Sequence, residues 1–174
     1  MQLAKSLQNI KPSYLREILS VANSQDIISL AGGLPDQASF PLSLMQDSLS
    51  NLTKLPSLFQ YGSTAGYAPL LEYFKQRYQL PSSHSGIVCT GSQQGLDLIA
   101  RAFINPNDKI AMEAPSYLGA IQVFGLAQAK IESVSQETDG PNLQELEACF
   151  AQRDITLFYA VPDFHNPTGV CWSL

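Results

Sequence analysis

The sequence predicts an α/β protein: three layers, α/β/α, around a mostly parallel sheet, preceded by an N-terminal helical arm. Three observations carry that prediction. From residue 86 onward, short apolar runs alternate with segments of helical length. Clusters of Asn, Asp, Pro and Gly separate one run from the next. The chain has 174 residues and is 45% hydrophobic, enough to fill one domain-sized core.

Taken in order, Pro12 and Ser13 open a helix expected to reach about Asn23, with Leu15, Ile18 and Leu19 on one face. The apolar run 27–31 reads as a strand, stopped by the turn residues Gly32, Gly33, Leu34, Pro35 and Asp36. Amphipathic helices are expected over 42–55 and 66–79. Beyond them the regular pattern begins, with a strand at 87–90, a helix at 93–104 and a strand at 109–112. A helix at 117–128, a strand at 131–134, a helix at 143–152 and a strand at 155–161 complete it. Turns fall at 105–108, 139–142 and 162–163. Strands joined through helices of this length form βαβ units, and their strands pair in parallel.

The formal charge of -5 and a pI near 4.8 argue against nucleic acid and against an anionic membrane surface. Only 14% of residues are charged, so much of the surface is expected to meet a partner. Cys89, Cys149 and Cys171 fit neither a disulfide framework nor a zinc pattern, and no metal is expected. Buried core thiols are the reading for the cysteines that sit in apolar runs. No apolar run approaches membrane-spanning length, and a cytoplasmic location is expected.

Open parallel sheets bind ligands at the carboxyl ends of their strands, which singles out 91–95, 114–117 and 162–169. Gly91 permits a tight turn before a helix, and Ser92 sets a hydroxyl beside that helix's free N–H groups, a ready phosphate site. Taken alone, Ser92 is better read as a plain N-cap. The dinucleotide and P-loop glycine spacings are both absent. Tyr117 opens the next helix, placed to stack on a flat ring, although core packing explains a lone aromatic there more simply. Asn166 stands before Pro167 with Gly169 beyond, a strong turn signal that also presents an amide to a ligand oxygen.

Together these segments resemble the fold-type-I aminotransferases of class I and II, nearest the 2-aminoadipate and kynurenine aminotransferase group. The matching stretches are ISLAGGLPDQASFP (28–41), QYGSTAGYAPL (60–70), TGSQQGLDL (90–98), EAPSYLGA (113–120) and VPDFHNPTG (161–169). They occur in family order over nearly the whole chain. The resemblance implies pyridoxal 5'-phosphate as cofactor, with Ser92, Gln93 and backbone N–H groups of that turn on its phosphate. It implies Tyr117 stacked on the pyridine ring, Asn166 donating to the phenolic oxygen, and Gly33 beside the substrate α-carboxylate. Tyr61 would reach the phosphate of a neighbouring subunit, so a homodimer is implied. His165 is expected to face the sheet as a supporting residue. Leu71 departs from the family, which often has arginine there. The implied division is a 1–56 arm and small-domain segment, followed by an incomplete cofactor-binding domain at 57–174.

In the family, a Schiff-base lysine, a carboxylate for the pyridinium nitrogen and a substrate-gripping arginine all follow the NPTG turn. The sequence reaches only Leu174, and Lys5, Lys11, Lys54, Lys75, Lys109 and Lys130 match no Schiff-base segment. The chain is therefore expected to be inactive alone, marginally stable and prone to self-association. The alternative expectation is a non-catalytic phosphate-binding fragment, or half of a split enzyme. Substrates would be an amino acid and a 2-oxo acid.

Overall fold

The computed structural model describes Ala4, Leu7 and residues 35–173. The expected helix at 12–23, the strand at 27–31 and Gly33 lie outside the described residues. The chain forms two compact units, Lys11–Val88 and Cys89–Leu174, the latter with Met1–Ile10.

In the Lys11–Val88 unit, Asp36 accepts from the Ala38 amide at 3.0 Å and starts a 3-10 turn, Gln37–Ser39. Helix α1 follows at Leu42–Leu52, then a second 3-10 turn at Pro56–Phe59 and helix α2 at Ala68–Arg77, with Pro69 in its first turn. Both helices were expected, and each is shorter than its apolar pattern by a few terminal residues. Neither has a buried residue, and Leu42, Leu44 and Leu49 are 64%, 65% and 60% exposed.

The Cys89–Leu174 unit is built on a sheet. Strands β1 (Lys109–Ala114), β2 (Lys130–Glu137), β3 (Gly140–Pro141) and β4 (Ile155–Tyr159) stand in the order β3-β2-β1-β4. β1 pairs in parallel with β2 and with β4, so Lys109 lies opposite both Lys130 and Ile155. Only the two-residue β3 runs antiparallel. Helix α3 (Ser92–Phe103) precedes β1, and α4 (Leu118–Leu126) and α5 (Leu143–Ala151) lie between the later strands.

Alternation along β1 sets the layers. Ile110 and Met112 point to one face and pack with Ala100 of α3 and with Ala120, Val123 and Phe124 of α4. Ala111 points to the other and packs with Val134 and with Cys149 of α5. Helices thus cover both faces, the three-layer arrangement expected from the sequence. Phe124 meets Tyr159 edge to face at 6.0 Å, and Phe150 meets Phe158 at 5.9 Å. Asn142 caps α5 by accepting from the Glu145 amide at 2.9 Å.

Two expectations fail here. Residues 87–90 form no strand among the described residues; Val88 donates to Ala65 O at 2.8 Å, and both lateral edges of β1 are taken by β2 and β4. An apolar run supplies the propensity for a strand but not the ladder partner that makes one. Of the three cysteines only Cys149 is buried; Cys89 is half-buried and Cys171 exposed. Burial pushes the Cys149 thiol upward, with Glu132 and Asp154 adding to the effect.

Candidate active site

The first turn of α3 follows Gly91, whose φ of +111° suits glycine. No side chain caps this helix. Gln94 instead folds back, its Oε1 accepting from the Thr90 amide at 2.6 Å and from the Thr90 hydroxyl at 2.9 Å. That bond fixes the turn while leaving the amides of Ser92, Gln93 and Gln94 with no acceptor among the described residues. A twelve-residue helix directs its positive end at the same place. Ser92 is exposed beside these donors, and a Cβ on Gly91 would meet nothing within 4 Å, so the approach to them is open.

Gln93 joins this turn to the next helix. Its Nε2 donates to Gly119 O at 3.1 Å. A methyl placed on Gly119 would lie 2.5 Å from Gln93 Oε1 and 2.5 Å from Tyr117 Cε1. The Gln93 amide and the Tyr117 ring therefore close on a site only glycine leaves empty, and the two are brought together. The Gln93 side chain is engaged with α4, which leaves its backbone N–H as the group free for an anion. Tyr117 is half-buried at the start of α4, three residues past β1. Beside it, the Ser116 hydroxyl is buried without a hydrogen-bond partner among the described residues.

Asn166 sits exposed on the turn after β4. The turn closes on itself, with the Gly169 amide donating to His165 O at 2.5 Å and the His165 amide to Val170 O at 2.9 Å. Phe164 takes a left-handed φ of 49° and is 82% exposed, so the chain reverses there and sends His165 inward. His165 is 1% exposed and faces the sheet as expected. Its Nε2 lies 3.7 Å from Glu113 Oε2.

Glu113, 2% exposed at the carboxyl end of β1, was not singled out in the sequence. It accepts from the Val161 amide at 3.0 Å, from Trp172 Nε1 at 3.0 Å and from Gln136 Nε2 at 3.3 Å. One signal was available: a carboxylate inside the apolar strand KIAMEA requires buried donors. Tyr159, at the end of β4, has its phenol pushed upward by burial first, then by Tyr117 and Glu113.

The remaining candidates stand apart. Tyr61 belongs to the Lys11–Val88 unit, where its ring is fully exposed. Lys109 and Lys130 begin their strands, at the end opposite Tyr117 and Asn166; Lys109 is held by Asp154 at 2.8 Å and Glu132 at 3.6 Å. Lys54 and Lys75 lie in the other unit, and Lys5 and Lys11 outside the described residues.

The donors and acceptors at the strand ends suit a phosphorylated, flat, hydrogen-bonding ring. Unfilled amides and a hydroxyl stand at one strand end, an aromatic ring opens the helix at the next, and an exposed amide stands on the turn beyond.

Comparison with known proteins points the same way. Residues 25–174 match the family profile described as aminotransferase class I and II. The chain is 37% identical over 173 residues to aromatic-amino-acid aminotransferase 1 of Thermococcus litoralis, covering 92% of this chain and 42% of that protein. It is 34% identical over 167 residues to the 2-aminoadipate transaminase of Thermus thermophilus, covering 95% and 42%. The crystal structure of Pyrococcus horikoshii kynurenine aminotransferase, a complex with PMP, superposes with a TM-score of 0.88 at 33% identity, over 99% of this chain and 45% of that one. The chain spans less than half the length of these relatives.

Proposed function

The chain belongs to the class I and II aminotransferases, and on that premise we propose that residues 1–174 supply the cofactor cradle of an enzyme moving an amino group between an amino acid and a 2-oxo acid. The cofactor is pyridoxal 5'-phosphate. The observation that carries the reading is the first turn of α3, where three unfilled amides and the Ser92 hydroxyl stand next to the Gln93–Tyr117 contact.

When bound, the cofactor supplies an electron sink for the substrate's α-carbon. The chain's own residues bind and orient it. The amides of Ser92 and Gln93 and the Ser92 hydroxyl hold the phosphate dianion against the helix dipole. Tyr117 stacks on the ring, and Gln93 fixes where Tyr117 stands by bonding the backbone two residues beyond it. Asn166 donates its amide to the ring's phenolic oxygen, favouring the ionised form of that oxygen. By the family resemblance, Gly33 would serve the substrate carboxylate, and Tyr61 would reach the phosphate of a second subunit in a homodimer. Residues 1–56 form the arm and small-domain segment, and 57–174 part of the cofactor domain. The 2-aminoadipate and kynurenine group is the favoured substrate class, through similarity to proteins of that group.

None of the six lysines matches the one that bonds the cofactor covalently. Residues 1–174 by themselves therefore hold phosphate and ring without turnover, whether as one portion of a longer enzyme or as a binding fragment. Calorimetric titration with pyridoxamine 5'-phosphate and with pyridoxamine tests this. The expected result is saturable binding that depends on the phosphate, with no transamination when amino and oxo acids are supplied. Equal affinity for the two compounds, or no binding of either, contradicts the cradle; robust turnover contradicts the inactivity.

A further inference from the structure

We infer that Glu113 and His165 share a single proton and act as positioning residues, holding the turn that carries Asn166 onto the ends of three strands. Hydrogen-bond direction leads to this step by step. Glu113 Oε1 accepts from Trp172 Nε1, which can only donate, and Gln136 presents its Nε2 to the same oxygen, so its Oε1 turns away. That Oε1 lies 2.5 Å from Thr168 Oγ1, a separation that requires a hydrogen between them, and the threonine hydroxyl donates it. Having spent its one hydrogen, the hydroxyl oxygen accepts from His165 Nδ1 at 2.9 Å. Nδ1 therefore carries a hydrogen.

The other ring nitrogen is then decided. His165 Nε2 is buried, has no hydrogen-bond partner among the described residues and faces Glu113 Oε2 at 3.7 Å. Left bare it would set a lone pair against a carboxylate, both out of water. One proton on either group removes the conflict, acting through charge across the 3.7 Å gap and not through a hydrogen bond. The groups around the pair are the Gln136 amide from β2, the Tyr159 phenol from β4, the Val161 amide just beyond it, and Trp172 and Thr168 from the returning chain. None of them supplies a second proton-accepting charge.

The consequence for function is positional. Glu113 grips the chain on both sides of the turn, at Val161 before it and Trp172 after it, while His165 is the residue adjacent to Asn166. The pair sets where the Asn166 amide stands. That consequence rests on the reading of Asn166 given above, whereas the proton itself does not.

The test uses the 1–174 chain, 15N-labelled, without cofactor. It contains two histidines, and exposed His84 serves as the reference ring, assigned with His84→Gln. Long-range nitrogen–proton correlation at neutral pH should find a hydrogen on Nδ1 of His165; a bare Nδ1 with hydrogen on Nε2 alone overturns the relay. Thr168→Val, which removes the hydroxyl's bonds to Gln136 and His165, should raise amide exchange at His165 and Gly169 about tenfold against β1 amides. Thr168→Ser should restore protection. Unchanged exchange in Thr168→Val, or no rescue by serine, overturns the positioning role. Should Thr168→Val fail to fold, the ring measurement on the unmodified chain still decides. Failure of these readings leaves the phosphate-dependent titration untouched, and failure of that titration leaves these readings untouched.

Discussion

At the scale of single residues, the chain places its polar groups by what surrounds them more than by what neighbours them in sequence. Glu113 shows this. Its partners Gln136, Val161, His165 and Trp172 come from β2, from beyond β4 and from the returning chain, so no local motif announces them. Tyr117 and Asn166 were legible because each stands at a strand end with a turn signal beside it. Gln93 was legible as a residue but not in its conformation, since the Gly119 carbonyl it bonds belongs to another helix. Tyr159 offers a test by titration. Its phenol is raised above the ordinary 10.0, by burial first and then by Tyr117 and Glu113. The folded chain thus holds this proton more tightly than the unfolded one. The stability linked to it is full below pH 10 and falls as pH climbs through the folded value. Lys109, held up by its hydrogen bond to Asp154, falls in the same direction above 10.5. Tyr159→Phe keeps Lys109 and loses only the phenol, so its urea midpoint should decline less between pH 10 and 11.5 than that of the unmodified chain. Parallel decline would show that the phenol is not the group responsible.

At the scale of elements, the sequence located every helix and strand of the Cys89–Leu174 unit except the two-residue β3, read as a turn, and it expected a strand at 87–90 that does not form among the described residues. Alternating apolar runs reveal which segments are buried, and Asn142 and Pro69 mark helix starts by local chemistry. Whether a run finds a ladder partner is a long-range matter, and 87–90 finds none among the described residues. The α3 start is where element geometry bears most directly on function. Gly91 has φ +111° and ψ 171°, a region closed to residues with a Cβ, yet a methyl there would touch nothing. Gly91→Ala should therefore cost about 1–3 kcal/mol through backbone strain alone. If the turn relaxes to relieve it, the amides of 92–94 lose their common direction and pyridoxamine 5'-phosphate affinity falls. Denaturant unfolding and titration of the same variant read both effects. An alanine variant of unchanged stability would mean that the turn does not require a glycine conformation.

At the scale of the whole molecule, the sheet unit is complete enough to form a core on both faces of β1, and no helix among the described residues is long and apolar enough to cross a membrane. The apolar side chains of α1 remain open to solvent, as the low charge content of the sequence had suggested. Family membership was legible because five short segments recur in order, and the comparisons bear it out over residues 25–174. The central claim is that the strand ends of this unit cradle a phosphorylated ring. Mapping amide shifts of the labelled 1–174 chain during addition of pyridoxamine 5'-phosphate tests it most directly. The account predicts saturating shifts at Ser92, Gln93, Gln94, Tyr117 and Asn166, with Lys109 and Lys130 at the opposite strand ends unmoved. Shifts centred on those lysines, or none at 92–94, would contradict it.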